Sequence, residues 1–454
     1  MANSRKSNSA DLPGRVAERI APLVPVQGSI LVGLSGGVDS VVLLHVLHRI
    51  APQFAWKLSA LHVHHGISPN ADHWAGFCAC LCASLSIPFR VERVDIGPLR
   101  DRGVEAAARQ LRHEVLTRQP VDFIALAHHQ DDQAETLLLQ ILRGAGVKGV
   151  AAMPLLKMRK DAPALLRPFL EVSRTELMQY AQACNLEWIE DESNADDSYP
   201  RNFLRHRVLP LLEQRFPATR ATLARSAQHF AEASLLLDEL ARIDGVDGME
   251  DGTLAVEVLR SLGRARAKNL LRFFLHGAGA PMPHALQLDD MLEQLCGARV
   301  DASVCISYGG WQVRRYLGRV YVLPDLGDLD RGIVLPWHHE AELYWPALKA
   351  RLLFENMDEP RATDRPHLGI GLDKLRHAPV TLRLRHGREF LRPHPLAAKR
   401  SLKNLLQEQH IPPWQRERLP LLYCGDELVC VAGVAVAAGY QPDAGEQQIR
   451  LTIK

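Results

Sequence analysis

The chain has 454 residues, 47% of them hydrophobic and 23% charged, with a formal net charge of +2. These values fit an ordinary soluble protein and exclude one built around a membrane span, because no apolar run approaches the ~20 residues a span needs. The length predicts about three domains, each large enough for its own core.

Met1 to Asp11 is polar and rich in small residues, without the apolar core of a secretion signal, and residues 1–15 read as a disordered leader of a cytoplasmic protein. The first structured stretch is the apolar run Ile30-Leu31-Val32, broken abruptly at Ser35-Gly36-Gly37. Asp39 and Ser40 then open a second apolar segment, Val41 to Leu47. This is a buried strand, a tight turn and a helix. Gly36 and Gly37 permit positive φ and close backbone approach, so successive N–H groups turn toward an anion at the helix start. The Gly-Lys-Ser/Thr of a Walker A loop and the Gly-x-Gly-x-x-Gly dinucleotide fingerprint are both missing.

A second strand, Leu58 to Val63, closes on His64-His65-Gly66, and a helix follows from Ala71 to Ser84. A strand from Phe89 to Ile96 precedes a helix from Val104 to Arg118 that carries Arg109 and Arg112 on one flank. Phe123 to Ala127 is a further strand ending in His128-His129. Strands alternating with helices at this spacing imply βαβ units and a parallel sheet, whose ligands lie beyond the carboxyl ends of the strands. Ser35-Gly36-Gly37, His64-His65 and His128-His129 all fall at such ends. In His128 to Thr136, Asp132 is the expected N-cap with Glu135 closing a capping box. The same carboxylates can offer hard oxygens to Mg²⁺. Ser173 to Cys184 opens on Ser173-x-x-Glu176 and is a capped helix, and Glu190 to Pro200 is a polar loop.

Further on, Thr219 to Ile243 is a long amphipathic helix and Leu254 to Leu259 a strand. Ala265 to His276 and Pro283 to Cys296 are helices, and Trp311 to Leu323 is a strand or hairpin. Val380 to Leu384 alternates as a strand, Lys399 to Gln409 reads as a basic helix, and Leu421 to Val436 as two short strands. Between Arg376 and Leu419 ten Lys/Arg face three Glu, a local excess of seven that suits a polyanionic partner. The eight cysteines contain no Cys-x-x-Cys, which excludes a zinc ribbon and a dithiol redox site.

Ser35-Gly36-Gly37-Val38-Asp39-Ser40 resembles the PP-loop of the ATP pyrophosphatases. With it, His62-Val63-His64-His65-Gly66-Ile67, Ala127 to Thr136, Leu142 to Val150, Arg167-Pro168-Phe169-Leu170, Asp191-Glu192-Ser193-Asn194 and Arg201-Asn202-Phe203-Leu204-Arg205 resemble the tRNA(Ile)-lysidine synthetase family, in that family's order. Arg383 to Gly433, with Pro412-Pro413-Trp414-Gln415-Arg416, resembles its small C-terminal domain. His64 stands where the family often has Asn, and Pro200 precedes the Arg201-Asn202 pair.

The expected fold is α/β: an N-terminal doubly wound parallel sheet, a helix-rich middle domain and a small α+β C-terminal domain. The boundaries are a leader over 1–15, a catalytic domain over 16–217, a tRNA-contacting domain over 218–325, a connection over 326–375 and a basic domain over 376–454. The resemblance implies ATP-dependent transfer of free L-lysine to the wobble cytidine of an isoleucine tRNA with a CAU anticodon, with Mg²⁺ as cofactor. The modified base must leave its stack, which costs least in an exposed anticodon loop.

Candidate nucleotide contacts are Ser35, Gly36, Gly37, Val38, Asp39, Ser40, His65, Arg109 and Gly144. Candidate catalytic residues are Asp39, His128, Asp132, Glu135, Arg201 and Arg205. Asp39, Asp132 and Glu135 would hold Mg²⁺ or the incoming lysine ammonium, with Asp39 and Asp132 the candidate metal ligands; which acid takes metal and which takes lysine is open at this point. His128 would offset charge on the α-phosphate or orient the base, and Arg201 and Arg205 would hold phosphate or the tRNA backbone. Candidate tRNA contacts are Arg383, Arg388, Arg392, Lys399, Lys403 and Arg416. Another carbonyl-activating ATP pyrophosphatase, a tRNA thiolase or an amide-forming synthetase, is the alternative. It lacks support from paired cysteines or a glutamine-hydrolysing domain. A silent nucleotide- or tRNA-binding module would leave the His128–Glu135 cluster without a use. No membrane partner is expected, and the oligomeric state is open, a homodimer included.

Overall fold

The computed structural model describes residues 11–98, 103–159, 161–190, 192, 196–299, 302–357, 368–443 and 445–454. The chain divides into two compact units, Met1–Leu237 and Asp238–Lys454. The leader as far as residue 10, and Asp191, Ser193 and Asn194 of the polar loop, lie outside the described residues.

The first unit begins with α1 (Leu12–Ile20), β1 (Ser29–Gly33), α2 (Val38–Ile50), β2 (Lys57–His64), α3 (Ala71–Ser84), β3 (Phe89–Arg93), α4 (Val104–Thr117), β4 (Phe123–Ala125) and α5 (Gln130–Leu142). It continues through α6 (Val147–Val150), β5 (Leu156–Lys157), β6 (Ala164–Leu166), α7 (Arg174–Ala183), α8 (Pro200–Phe203), a π-type turn (Leu204–Val208) and α9 (Leu209–Arg215). A long helix, α10 (Thr219–Gly245), follows.

The sheet order is β3-β2-β1-β4-β6-β5, parallel except for β5, which runs antiparallel to β6. From β1 the chain winds outward through β2 and β3, then returns to β4 on the other side. The switch point of this doubly wound sheet therefore lies between β1 and β4, where a crevice opens beyond the strand ends. Alternation along β1 builds both layers. Ile30 and Val32 join the core made with α1, α2 and α7, while Leu31 packs with Leu61, Ile124, Leu165 and Leu116 of α4 on the opposite face. Helix α2 is apolar on nearly every side, with Val41, Val42, Leu43, Leu44, Val46 and Leu47 all buried, as befits a helix sunk into the core.

The expected leader ends too late. Leu12, Val16 and Ile20 form an i, i+4, i+8 stripe buried in the main core, and Arg15 pairs with Glu176 at 2.8 Å. Residues 12–15 are thus the first turn of a core helix.

In the second unit, α11 (Val256–Ser261), α12 (Arg264–Gly277) and α13 (Ala285–Gly297) pack on a sheet ordered β7-β8-β11-β10-β9. Its strands are β7 (Met249–Glu250), β8 (Thr253–Ala255), β9 (Val304–Tyr308), β10 (Trp311–Tyr316) and β11 (Arg319–Pro324). The expected hairpin is β10–β11, but the strand expected over Leu254 to Leu259 ends at Ala255. Val256 and Leu259, three apart, turn one helical face into the core instead.

The C-terminal part holds β12 (Leu335–Pro336), β13 (Glu342–Trp345), β14 (Ala350–Met357), β15 (Ile370–Gly371), β16 (Val380–Arg383), β17 (Phe390–Leu391) and β18 (Arg400–Ser401). It closes with α14 (Leu402–Glu408), α15 (Pro413–Arg416), β19 (Leu421–Cys424), β20 (Glu427–Val431), β21 (Ala435–Val436) and β22 (Gln448–Ile453). The basic helix expected from Lys399 starts at Leu402, because Arg400 and Ser401 pair with β17 and the Ser401 hydroxyl caps the helix at Asn404 N.

Leu12 is 1% exposed. Leu12→Ala should therefore cost about 2–5 kcal/mol, the range for emptying a core position. A leader residue would cost nothing measurable, and chemical denaturation decides between the two.

Candidate active site

After β1, Gly36 adopts φ +91, a conformation natural to glycine, and a Cβ there would overlap the Ile189 side chain. Ile189 N donates to Gly36 O at 3.0 Å, so the segment after α7 lies against the loop. Ser40 organises the turn from inside. Its Oγ accepts from Ser35 N at 3.2 Å and Gly36 N at 3.1 Å, and donates to Gly37 O at 2.9 Å. Gly37 is the N-cap of α2, leaving the N–H groups of Val38 and Asp39 as first-turn donors without an intrahelical acceptor. An anion is stabilised at such an end.

Across the switch point, α5 begins one turn earlier than expected. His129 is its N-cap, and Asp132 closes the box by accepting from His129 N at 2.9 Å, in place of an Asp132–Glu135 box. The His129 ring stands among three carboxylates: Asp39 Oδ2 at 3.6 Å, Asp132 Oδ2 at 3.5 Å and Asp131 Oδ1 at 3.9 Å. Burial alone would lower its pKa, but Asp132, then Asp39 and Asp131, outweigh burial and hold it above the ordinary value. Its neighbour His128 behaves oppositely. Burial pushes it down to about 4, and Arg167, Arg201 and Arg109 oppose the pull of Asp132. The environment thus favours the neutral, hydrogen-bonding form of His128 and the charged form of His129.

Glu135 is 0% exposed and both its oxygens are taken. Arg201 Nε donates to Oε2 at 2.6 Å and Arg205 Nε to Oε1 at 2.6 Å. Arg201 Nη2 also reaches Asp132 Oδ1 at 2.8 Å. Burial would raise the Asp132 pKa, but His129 and Arg201 outweigh it and bring it to about 2. Glu135 thus holds two guanidiniums, which leaves neither oxygen for the metal or lysine expected of it. Arg201 and Arg205 face inward to these acids.

Several buried polar atoms at this edge have no hydrogen-bond partner: Asp39 Oδ1, His128 Nδ1, His129 Nδ1 and both ring nitrogens of His65. Buried polar groups are nearly always satisfied, so this convergence marks a ligand site. Asp39, with one carboxylate oxygen unengaged, fits a hard cation bridging to phosphate oxygens. Asp132 has both oxygens committed and fits less well.

Gly144 has a different explanation: at φ +69 it ends α5, with Ala145 N bonded to Gln140 O at 2.9 Å, and a Cβ there would meet nothing. Arg109 is exposed on α4 and acts on His128 and Arg167, beyond β4 as seen from the loop.

Residues 13–212 match the PP-loop domain family, 254–321 the TilS substrate binding domain and 380–453 the TilS substrate C-terminal domain. The chain is 40% identical over 447 residues to the tRNA(Ile)-lysidine synthase of Nitrosomonas europaea, a match covering 98% of this chain and 96% of that one. The chain belongs to the tRNA(Ile)-lysidine synthase family. It is 36% identical over 418 residues to the synthase of Coxiella burnetii, covering 91% of each. Among solved structures, the U34-tRNA thiolase of Methanococcus maripaludis aligns with 49% of this chain and 79% of its own, at 19% identity and a TM-score of 0.42. As a lysidine synthase family member the chain is a ligase that uses ATP through its PP-loop domain.

In this family member the C-terminal cations divide into two kinds. Arg416 donates to Ile411 O and to the Tyr316 hydroxyl, both at 2.6 Å, beside a Trp414 ring packed on Tyr316, Tyr321 and Arg314. Arg383 donates to Gly425 O at 2.9 Å and lies over the Tyr423 ring. Both hold the fold. Arg388, Arg392, Lys399 and Lys403 are exposed, and among the described residues no acid pairs with them.

His129, Asp131 and Arg220 join the site without having a role expected from the sequence pattern. Asp131 accepts from Arg174 N at 3.1 Å and Arg220 Nη1 at 2.8 Å, so it ties the start of α7 and α10 to the catalytic helix. The doubled acids of His129-Gln130-Asp131-Asp132 were the available signal, but only the fold shows which ring they surround.

Two outcomes test this geometry. Gly36→Ala should cost at least about 1–3 kcal/mol through strain at positive φ, and more through the clash with Ile189, together with loss of ATP binding in calorimetry. His65 is held down to about 4 by burial, then by Arg112, His62 and His64. Between pH 6.5 and about 4 the unfolded chain binds protons at His65 and His128 that the folded protein refuses, so stability rises with pH across that window and is lost on acidification. A melting-temperature series should become shallower there in His65→Asn. An unchanged slope would show that the ring titrates normally.

Proposed function

We propose that the protein joins free L-lysine to the 2-carbon of the wobble cytidine in the CAU anticodon of a minor isoleucine tRNA, producing lysidine, AMP and pyrophosphate. One observation carries this reading: the glycine loop of β1 and the acid-and-histidine set of β4–α5 face one another across Asp39 and His129, 3.6 Å apart. They do so in a chain that parallels lysidine synthases along nearly its whole length.

In the first step the cytidine 2-oxygen attacks the α-phosphate of ATP and pyrophosphate leaves. The first-turn N–H groups of Val38 and Asp39 and the Ser35 hydroxyl meet the departing phosphates, where fixed dipoles stabilise developing charge without reorganising. His129 carries positive charge beside them, and His128 orients the base through a neutral ring. Asp39 would hold Mg²⁺, which supplies charge neutralisation across the phosphate oxygens. In the second step the lysine ε-amine attacks the activated 2-carbon, and AMP leaves with the former base oxygen. Asp132 stays ionised far below neutral pH, keeping a negative charge against His129 and Arg201 throughout. Glu135 positions Arg201 and Arg205. The exposed Arg388, Arg392, Lys399 and Lys403 are the proposed tRNA-backbone contacts.

The deciding assay combines the protein, ATP, Mg²⁺, radiolabelled lysine and isoleucine tRNA with a CAU anticodon. Label should enter the tRNA, and Asp39→Asn should reduce the rate by about 10²–10³-fold, the range for losing one preorganised electrostatic contact. A wild-type protein that transfers no label would refute the reading. If four C-terminal cations meet phosphates, tRNA affinity should fall about 10²-fold between 50 and 200 mM salt. Arg388→Ala/Arg392→Ala/Lys403→Ala should flatten that slope by about 2–3 units. A slope equal to wild type would move the contact surface elsewhere.

A further inference from the structure

The sheet of the first unit ends differently at its two edges. At one edge β5 is two residues long, which blunts it against pairing with another chain. At the other edge β3 runs five residues against β2 without a bulge, and Arg90, Val91, Glu92 and Arg93 are all exposed. Among the described residues no strand pairs with its outer side. Arg93 is engaged within its own chain by Asp72 at 2.6 Å, whereas Arg90 and Glu92 have no ionic or hydrogen-bonding partner among the described residues.

The bonds to β2 fix which backbone groups of β3 face outward. Ala60 N donates to Pro88 O at 2.9 Å, and Val94 N donates to His64 O at 3.0 Å. Alternate residues of a parallel strand bond to the same neighbour, so Arg90 and Glu92 also turn their backbone toward β2. Phe89, Val91 and Arg93 therefore present their N–H and C=O groups to the outside. Side chains sort the same way. Arg90 and Glu92 are register partners of Leu61 and Val63, on the α4 face of the sheet, while Phe89 packs on the opposite face. Val91, apolar and 37% exposed, lies at the centre of the strand.

We propose that β3 pairs antiparallel with the same strand of a second copy of this chain, centred on Val91. Val91 and the partner's Val91 then exchange both backbone hydrogen bonds, as do Phe89 and the partner's Arg93. Arg90 stands directly opposite the partner's Glu92, and Glu92 opposite the partner's Arg90, in the non-hydrogen-bonded pairs where side chains come closest. Charge selects this register. One step along the ladder in either direction sets Arg90 against the partner's Arg90, or Glu92 against the partner's Glu92, and like charges directly opposite are destabilising. A five-residue ladder is a small contact, so the association is weak, with a dissociation constant in the micromolar range or above. Because the two strands run in opposite directions, the carboxyl edges of the two sheets, with their crevices between β1 and β4, face opposite ways. This pairing is independent of the reaction proposed above.

Sedimentation equilibrium of the full chain from about 1 to 100 µM tests the pairing. Wild type should show a monomer–dimer equilibrium. Arg90→Glu sets acids opposite one another twice per dimer and should weaken association roughly tenfold or more. Glu92→Arg, which opposes cations instead, should weaken it to the same degree. The double exchange Arg90→Glu/Glu92→Arg should restore wild-type association. Arg90→Glu mixed with Glu92→Arg should form a heterodimer about as tight as the wild-type dimer, since every facing pair is again opposite in charge. The melting temperature of dilute protein should not change, because both side chains are exposed and unpaired within the chain. A wild type that stays monomeric throughout would overturn the pairing and leave the edge to a strand of a different protein. A dimer that neither single exchange weakens would also overturn it, by placing the interface elsewhere.

Discussion

The site depends on a carboxylate that water never reaches. Glu135 sits on the first turns of α5 with 0% exposure, and an isolated charge there would be prohibitive. Two guanidiniums make it tenable, one from α8 and one from the π-type turn that follows. Removing either partner of such a group typically costs about 3–5 kcal/mol, because the survivor is stranded. The network runs outward from there: Arg201 to Asp132, Asp132 to His129, His129 to Asp39 at the start of α2. Segments far apart in sequence thereby share one charge balance, and the crevice between β1 and β4 is held by ionic bonds as well as by the sheet.

That balance gives two adjacent histidines opposite characters. His129 is ringed by acids that hold its pKa above the ordinary value despite burial. His128, three residues beyond Ala125 of β4, is buried toward Arg109, Arg167 and Arg201 and gives its proton up. The dipeptide thus sets a ring biased toward its charged form beside one biased toward its neutral form. Such a division of labour comes from environment alone, as identical side chains take different roles when their neighbours differ.

The doubly wound sheet was legible because β1, β2 and β4 are apolar runs ending in distinctive residues, and the glycine turn announces the anion site. The cluster of Asp39, His128, Asp132 and Glu135 was legible as a group. The allocation of roles within it was not. Whether Glu135 faces a ligand or two arginines depends on where residues 200–208 return, and no local pattern encodes a contact across 66 residues. Short strands such as β5 and β7, two residues each, carry too little periodicity to be read from sequence. Leu12 was hidden for a different reason: the small, polar character of the preceding residues masks a stripe of only three apolar side chains. Arg416 and Arg383 looked like free cations because composition does not distinguish a solvated guanidinium from one bonded to carbonyls and stacked on tyrosine.

The loop itself argues for preorganisation rather than flexibility. Ser40 Oγ binds two loop N–H groups and one carbonyl, so the turn is internally satisfied and its shape does not wait for a phosphate. The donors left over, those of Val38 and Asp39, already point along the axis of a helix whose apolar side chains are all buried in the core. A helix that cannot shift keeps its dipole aimed at one place, and a fixed dipole does more for a developing charge than a mobile one. The cost falls on Gly36 and on the Ile189 contact, both of which exclude any larger side chain from the turn. Rigidity at β1 and charge balance at β4 are therefore complementary: the first holds an anion-attracting helix end in one place, and the second biases the charge of the side chains that face it.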